Sequence, residues 1–184
     1  MKENNESTVN WKKELLEWLK ILLAAAAIAL FVNTCVIANT RVPSDSMETT
    51  IMAGDRLLGS RLSYRFGSHP ERGDIVIFKH KAEPGRDQTR LVKRVIGLPG
   101  ETVDIRDNRI YINGSETPLE EPYLAEPMET DDQHFEVPEG CYLMLGDNRN
   151  DSADARMWAD PYVPETDIAA KVFFRYYPGF GRVS

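Results

Sequence analysis

An uncharged apolar segment near the N-terminus restricts the folds that are open to this chain. Residues 21–40 carry no charged side chain, and residues 21–38 are apolar except for Asn33 and Thr34. Eighteen residues of this kind are just long enough to cross the hydrocarbon core of a bilayer as a helix. The flank before this run holds the aromatic and basic residues that are typical of a membrane interface: Trp11, Lys12, Lys13, Trp18 and Lys20.

The basic flank also predicts a topology, because positively charged residues favour the cytoplasmic side. We expect residues 1–20 to form a cytoplasmic segment, residues 21–40 a single transmembrane helix, and residues 41–184 an extracytoplasmic domain. Two alternatives are open. The run could be a cleaved secretory signal, because residues 36–38 end in a small residue, or it could be a buried core helix. Its length and flanks favour the anchor.

Composition excludes several classes of protein. The net charge of −7 argues against binding to nucleic acid. Cys35 lies in the apolar run and Cys141 in a later strand-like segment, so no disulfide is expected between them. No His/Cys cluster has the spacing of metal ligands. His69, His80 and His134 lie in polar surroundings without an obvious partner and are interpreted as exposed loop residues; a catalytic triad built on one of them is the unsupported alternative.

Beyond the membrane segment the pattern is one of short β-like runs separated by turn residues. Residues 102–106 and 109–112 predict a hairpin around Asp107–Asn108, and residues 113–139 are a loop-rich, cap-like excursion with one strand at 135–137. The pattern predicts a mainly β domain, an antiparallel sandwich or partly closed barrel with a small cap. The other predicted strands cover residues 56–58, 74–79, 89–96, 141–145 and 171–177.

Ser46 is a candidate nucleophile that lies eight residues beyond residue 38, the last residue of the apolar run. Pro43 fixes its own φ angle and pushes Val42 towards an extended conformation, so that the chain enters the turn from a strand-like segment. A serine hydroxyl alone is a poor nucleophile and needs a base.

Lys93 is the candidate base. Alternation along a strand places Leu91, Lys93 and Val95 on one face, which puts the lysine among apolar neighbours. A lysine with its ordinary pKa is neutral in only about one molecule in 2,500 at pH 7, and burial makes the neutral amine abundant. The alternative is that Lys93 reaches solvent at a sheet edge and that Arg94 is simply solvated.

Residues 146–156 form a third polar stretch, GDNRNDSADAR. It is too polar for a strand, and Asp154 can pair with Arg156 across a turn. By itself, such a run is typical of a solvent-exposed loop.

Taken together, these stretches resemble the motif series of the type I signal peptidases. The motifs are Pro-Ser-Asp-Ser-Met at residues 43–47, KRVIGLPGE at 93–101 and the polar loop at 146–156, and RGDIVIF at residues 72–78 is also similar to a family segment. The motifs occur in the family's order from the anchor to near the C-terminus. The single span and the short cap are most similar to the compact enzymes of Gram-positive bacteria.

The resemblance implies a membrane-bound Ser–Lys endopeptidase that removes signal peptides from exported preproteins without metal or cofactor. Ser46 matches the nucleophile and Lys93 the general base. Ser44 matches the residue whose hydroxyl forms the oxyanion hole with the Ser46 N–H, and Ser152 matches the hydroxyl that orients the lysine. Asp154 and Arg156 match a structural ion pair.

The resemblance also implies a substrate that binds as an extended strand, with small residues at positions −1 and −3 relative to the cut. Met47, Ile77 and Val92 are the expected pocket walls. The expected partners are preproteins and the lipid bilayer, with no nucleic acid, and the chain is expected to be a monomer. The expected location is the cell membrane.

This chain departs from the family pattern in three places. Residues 48–50 read Glu-Thr-Thr where the family has proline and threonine, Ala155 stands where serine is common, and Glu101 stands where aspartate is usual. No departure removes a catalytic atom. Two alternative functions stay open: a specialised Ser–Lys peptidase with a narrow substrate set, and a membrane-anchored β module that binds without cutting. The retained serines and lysine argue against the second.

Overall fold

The computed structural model describes residues 11–81 and 88–183 and divides into two compact units, one ending at Val36 and one beginning at Ile37. The first unit contains helix α1 (Trp11–Phe31) and a π-helical turn (Val32–Val36). Among the described residues, this is the one helix that is long and apolar enough to cross a membrane, judged by length and composition alone. The first ten residues of the predicted cytoplasmic segment lie outside the described residues.

The helix is displaced from the predicted span 21–40. The described part of the helix already includes residues 11–20, because the flank before Ile21 contains good helix formers, and the π-helical turn ends at Val36. Residues 37–40 instead belong to strand β1 (Ile37–Arg41). An uncharged run cannot reveal where a helix gives way to a strand, since both structures accept apolar residues.

The second unit consists of two antiparallel sheets. The larger, eight-stranded sheet has the order β1-β2-β10-β3-β4-β8-β9, with β11 beside β10, and the smaller has the order β6-β5-β7. After β1, the strands are β2 (Arg56–Ser60), β3 (Ile75–His80), β4 (Thr89–Gly97), β5 (Thr102–Arg106), β6 (Arg109–Ile112), β7 (Gln133–Glu136), β8 (Cys141–Leu145), β9 (Tyr162–Pro164), β10 (Ile168–Tyr177) and β11 (Gly181–Arg182).

The larger sheet is buried on both faces at β3. Along β3, Val76 and Phe78 belong to one core cluster, whereas Ile75 and Ile77 belong to a second, smaller one. Alternate residues of a strand point to opposite faces, so the continuous apolar sequence of β3 is explained by burial on both sides. The smaller sheet contributes Val103 to the larger cluster. The predicted fold class, a mainly β domain of packed antiparallel sheets after one apolar helix, is confirmed.

The predicted hairpin is confirmed at residue level. Strands β5 and β6 flank Asp107 and Asn108, whose φ angles of 50° and 58° are those of a two-residue type I′ turn. In the excursion 113–139 the strand is Gln133–Glu136 rather than 135–137. The short strands β9 and β11 were not predicted, since two or three residues carry too little alternation to be recognised.

The interpretation of the histidines is confirmed for the exposure of His69 and His134, but it is wrong for the exposure of His80 and for the missing partners. His80 is buried at the end of β3 with its ring 4.1 Å from that of Trp158, and burial lowers its pKa. His69 and His134 are exposed, but each hydrogen-bonds a carboxylate from a distant part of the chain, Glu165 and Asp104 respectively. Cys35 lies in the first unit and Cys141 in the second, and both thiols are free.

Candidate active site

Ser46 lies in the turn region between β1 and β2. Main-chain hydrogen bonds join the two ends of this region. Val42 N–H donates to Asp55 O at 2.9 Å, and Gly54 N–H donates to Val42 O at 2.8 Å. Just after Ser46, the side chains of Met47 and Ile51 are fully buried in the smaller core cluster. The joined ends of this turn region and the buried residues after Ser46 therefore fix the position of a serine that is itself partly exposed.

Lys93 is buried in the middle of β4, with only 3% of its surface exposed. Its Nζ donates a hydrogen bond to Ser152 Oγ at 2.9 Å. Burial lowers the pKa of Lys93 from 10.5 to about 8, and the nearby Arg156 acts in the same direction, whereas Asp154 and Asp147 raise it. At pH 7 about one molecule in ten therefore carries a neutral amine.

The alternative of a lysine that reaches solvent at a sheet edge is wrong, and so is the expectation of a solvated Arg94. Arg94 is also 3% exposed. Its Nε and Nη2 each donate to a different oxygen of Asp147 at 2.8 Å. Thr50 Oγ1 donates to the same carboxylate at 2.6 Å. Asp147 therefore connects β4 to the segment that follows Ser46, and neither it nor Thr50 was singled out from the sequence.

A single cleft of about 450 Å³ contains both candidate catalytic side chains. Ser44 is also in its lining, and Ser44 Oγ lies 3.4 Å from Ser46 Oγ. Of the predicted pocket walls, Val92 lines the cleft, whereas Met47 and Ile77 belong to the smaller core cluster with Val92. The remaining lining residues are Val42, Pro43, Asp45, Arg90, Leu91, Asp151 and Ala153.

The polar loop 146–156 approaches both the serine and the lysine. A Cβ atom on Gly146 would lie 2.2 Å from Ser152 Oγ and 2.3 Å from Ser46 O, so only glycine fits there. Asn148 N–H donates to Ser46 O at 3.2 Å. The loop therefore contacts the serine main chain directly and reaches Lys93 through Ser152.

The predicted ion pair of Asp154 with Arg156 is present inside this loop. Arg156 Nε and Nη2 donate to the two oxygens of Asp154 at 2.8 and 2.9 Å. Asp154 is fully buried, and its Oδ2 also accepts a hydrogen bond from Gly146 N–H at 2.9 Å. The carboxylate therefore connects the end of the loop to its first residue. A buried carboxylate needs such partners, because an unpaired one would be strongly destabilising.

No cluster of three or more His, Cys, Asp or Glu side chains that could hold a metal ion occurs within residues 11–81 and 88–183. The described cleft brings together two serine hydroxyls and one buried amine, with the carboxylates of Asp45 and Asp151 and the guanidinium of Arg90 also in its lining.

Comparisons with known proteins identify the family. The family model described as "Signal peptidase, peptidase S26" matches residues 15–177. A signal peptidase I from Leptolyngbya laminosa is 39% identical, covering 89% of this chain and 80% of that protein. Signal peptidase I S from Bacillus subtilis is 33% identical, covering 97% of this chain and 96% of that protein. A solved signal peptidase I from Enterococcus faecalis V583 is 38% identical, covering 56% of this chain and 97% of that one, with a TM-score of 0.47.

The chain belongs to the signal peptidase family, peptidase S26, a family of serine endopeptidases. The resemblance to type I signal peptidases that the motifs indicated is confirmed.

Proposed function

We propose that this chain is a membrane-bound endopeptidase that removes N-terminal signal peptides from exported preproteins by Ser–Lys acyl-enzyme hydrolysis. One observation carries the proposal: Ser46 and a buried Lys93 line the same cleft, and the lysine amine donates a hydrogen bond to Ser152. A merely structural lysine has no need of a depressed pKa, whereas a general base needs a pKa near the working pH.

In the proposed reaction the neutral amine of Lys93 accepts the proton of Ser46 Oγ, which attacks the scissile carbonyl carbon. The hydroxyl of Ser44 and the main-chain N–H of Ser46 stabilise the oxyanion of the tetrahedral intermediate. The Lys93 ammonium then gives its proton to the leaving amine, and an acyl-enzyme remains. Lys93 next takes a proton from water, which attacks the ester carbonyl; as the ester C–O bond breaks, the Lys93 ammonium returns this proton to Ser46 Oγ and the signal peptide is released. We assign Ser152 to orienting the amine throughout.

We propose that the substrate adds to β4 as an extended strand. Strand β4 pairs with β3 along residues 89–94, but its pairing with β8 begins only at Arg94. Within the described sheet, residues 89–93 therefore have one main-chain edge open, and Arg90, Leu91 and Val92 line the cleft along it. Main-chain hydrogen bonds to such an edge give affinity, and shallow pockets give selectivity.

We assign Val92 as a wall of the pocket for a small side chain at −1 or −3, with Met47 and Ile77 packed against it as support. Asp154 and Arg156 have the role of keeping the loop closed beneath Ser152. The functional unit is taken to be a monomer, because Ser44, Ser46, Lys93 and Ser152 all come from one chain.

We further propose that α1 is a single-pass anchor in the cell membrane, with the N-terminus in the cytoplasm and the catalytic domain outside. The basic residues that precede the apolar run support this orientation. The lipid bilayer is then a partner of the enzyme, and the substrates are preproteins that emerge at its outer surface.

The test is the cleavage of a signal-bearing preprotein in detergent micelles by wild type and by the variants Ser46→Ala and Lys93→Ala. Both are expected to lose activity, whereas Ser68→Ala and Lys79→Ala, which change exposed residues of the same types, keep it. Below about pH 8 the wild-type kcat/KM should fall about tenfold per pH unit, because the lysine becomes protonated.

Activity that survives Lys93→Ala would mean that another group is the base. A folded wild type that cuts no general preprotein would instead favour a specialised peptidase with a narrow substrate set or a non-catalytic binding module.

A further inference from the structure

Part of the excursion, residues 119–130, lies against the polar loop 146–156, and we name this part the strap. We propose that the strap is a positioning element for Lys93: it fixes the polar loop, whose Ser152 holds the lysine amine. The inference rests on the proposed function and adds a role for a segment outside the cleft lining.

The first contact is a buried ion pair. The side chain of Arg149, in the polar loop, is 1% exposed and that of Glu121, in the strap, is 7% exposed. The two guanidinium Nη atoms of Arg149 donate to both oxygens of this carboxylate. Arg149 Nε also donates to Gly146 O at 2.9 Å, so the pair fixes the main chain at the start of the loop.

The second contact connects the strap to β4. The ring of Tyr123 lies over the guanidinium of Arg94, with 3.9 Å from its centroid to Arg94 Cζ. Tyr123 Oη donates to Glu121 Oε1 at 2.7 Å. Because Arg94 is the neighbour of Lys93 and binds Asp147, these two strap residues contact both β4 and the loop.

The third contact lies two residues before Ser152. Asn150 Nδ2 donates to Glu126 Oε1 at 2.8 Å and to Pro127 O at 3.1 Å. Its Oδ1 accepts from Glu129 N–H at 2.8 Å. The Nδ2 and Oδ1 atoms of Asn150 therefore both hydrogen-bond the strap. These bonds fix the direction of the main chain just before Ser152.

These contacts have a chemical consequence at Lys93. The charged groups that act on its amine are Asp154, Asp147 and Arg156, all in the polar loop, and burial is the largest cause of its low pKa. A loop that moves away admits water and removes the Ser152 hydroxyl. The pKa of Lys93 then rises, and each pH unit of rise lowers the neutral fraction at pH 7 about tenfold.

The test compares strap variants with matched controls in the full chain in detergent micelles. Glu121→Gln removes the charge of the buried pair, and Tyr123→Leu removes the ring from Arg94. Glu120→Gln makes the same charge change on an exposed neighbour, and Tyr111→Leu removes a ring that stacks on Arg106 at the same 3.9 Å, on the β5–β6 hairpin.

Two quantities are measured. The first is the titration midpoint of Lys93, followed by NMR of ¹³Cε-labelled lysine and assigned with Lys93→Arg. The second is the pH profile of kcat/KM for preprotein cleavage. Each strap variant should raise both midpoints by about one pH unit and lower kcat/KM about tenfold at pH 7, with recovery at high pH. The controls should leave both midpoints in place, and Tyr123→Phe, which keeps the ring, should restore most of the wild-type midpoint.

The role of the strap is overturned if folded strap variants keep the wild-type midpoint of Lys93, even when their stability falls, because the strap is then only structural. If Glu121→Gln does not fold, the pair of Tyr123→Leu and Tyr123→Phe decides. A wild type that does not cut preproteins would refute the proposed function instead, while the NMR midpoint of Lys93 still reports on the strap.

Discussion

Replacing Lys93 by methionine should stabilise the second unit at pH 7 while abolishing its chemistry. The pKa of Lys93 lies about 2.5 below its ordinary value, and at about 1.4 kcal/mol for each pH unit the native protein carries a penalty of about 3 kcal/mol. Methionine has a similar length and no charge to bury, so the variant lacks this penalty.

The sign of the pH dependence follows from the direction of the pKa change. Between about pH 8 and 10.5 the unfolded chain binds more protons at Lys93 than the native protein, so wild-type stability rises with pH in this window. Below pH 8 the penalty is fully present, and above 10.5 it disappears. The advantage of Lys93→Met should therefore be about 3 kcal/mol larger at pH 7 than at pH 11. The hydrogen bond from Lys93 to Ser152 does not affect this difference, because the substitution Lys93→Met removes that bond at both pH values.

The assay is urea unfolding of both proteins at pH 7, 9 and 11, in chains that also carry Ser46→Ala to prevent proteolysis. Lys79→Met, at an exposed position of β3, is the matched control, because its ammonium stays in water and the substitution removes no desolvation penalty. An advantage of Lys93→Met that is equal at pH 7 and 11 would refute the reasoning, because it would mean that the native lysine is not desolvated.

Three further substitutions test the geometry of the cleft, each with steady-state cleavage of a preprotein and a thermal melt. Ser44→Ala should lower kcat by about 100- to 1,000-fold with little change in KM, as expected for an oxyanion donor, and an unchanged kcat would remove Ser44 from this role. Gly146→Ala should lower kcat by at least about 100-fold, because its Cβ would collide with Ser152 Oγ and Ser46 O, and near-wild-type activity would show that the loop tolerates displacement. Ser152→Ala should lower kcat about 100-fold, since it removes the hydroxyl that accepts a hydrogen bond from the Lys93 amine, whereas Ser152→Thr should recover activity.

The sequence by itself determined the features that depend on local pattern. The hairpin at Asp107–Asn108 and the strands β3, β4 and β8 follow from turn chemistry and apolar runs, which are properties of a few consecutive residues. The order of the motifs identified the family and directed attention to Ser46 and Lys93. The predicted C-terminal boundary of the transmembrane helix was wrong, because nothing in the uncharged run indicates that Ile37 already belongs to β1.

Only the tertiary structure decided which polar groups are buried and what they contact. Arg94 could be interpreted as solvated because its partner Asp147 is 53 residues away in the sequence. The partner of Arg149 in the strap, Glu121, is likewise distant from it in the sequence. The reason is physical: burial and ion pairing depend on which distant segments pack together, and a charged residue has the same local sequence whether it faces water or a carboxylate. The depressed pKa of Lys93 is of this kind, since it arises from the desolvation that the assembled fold imposes on its amine.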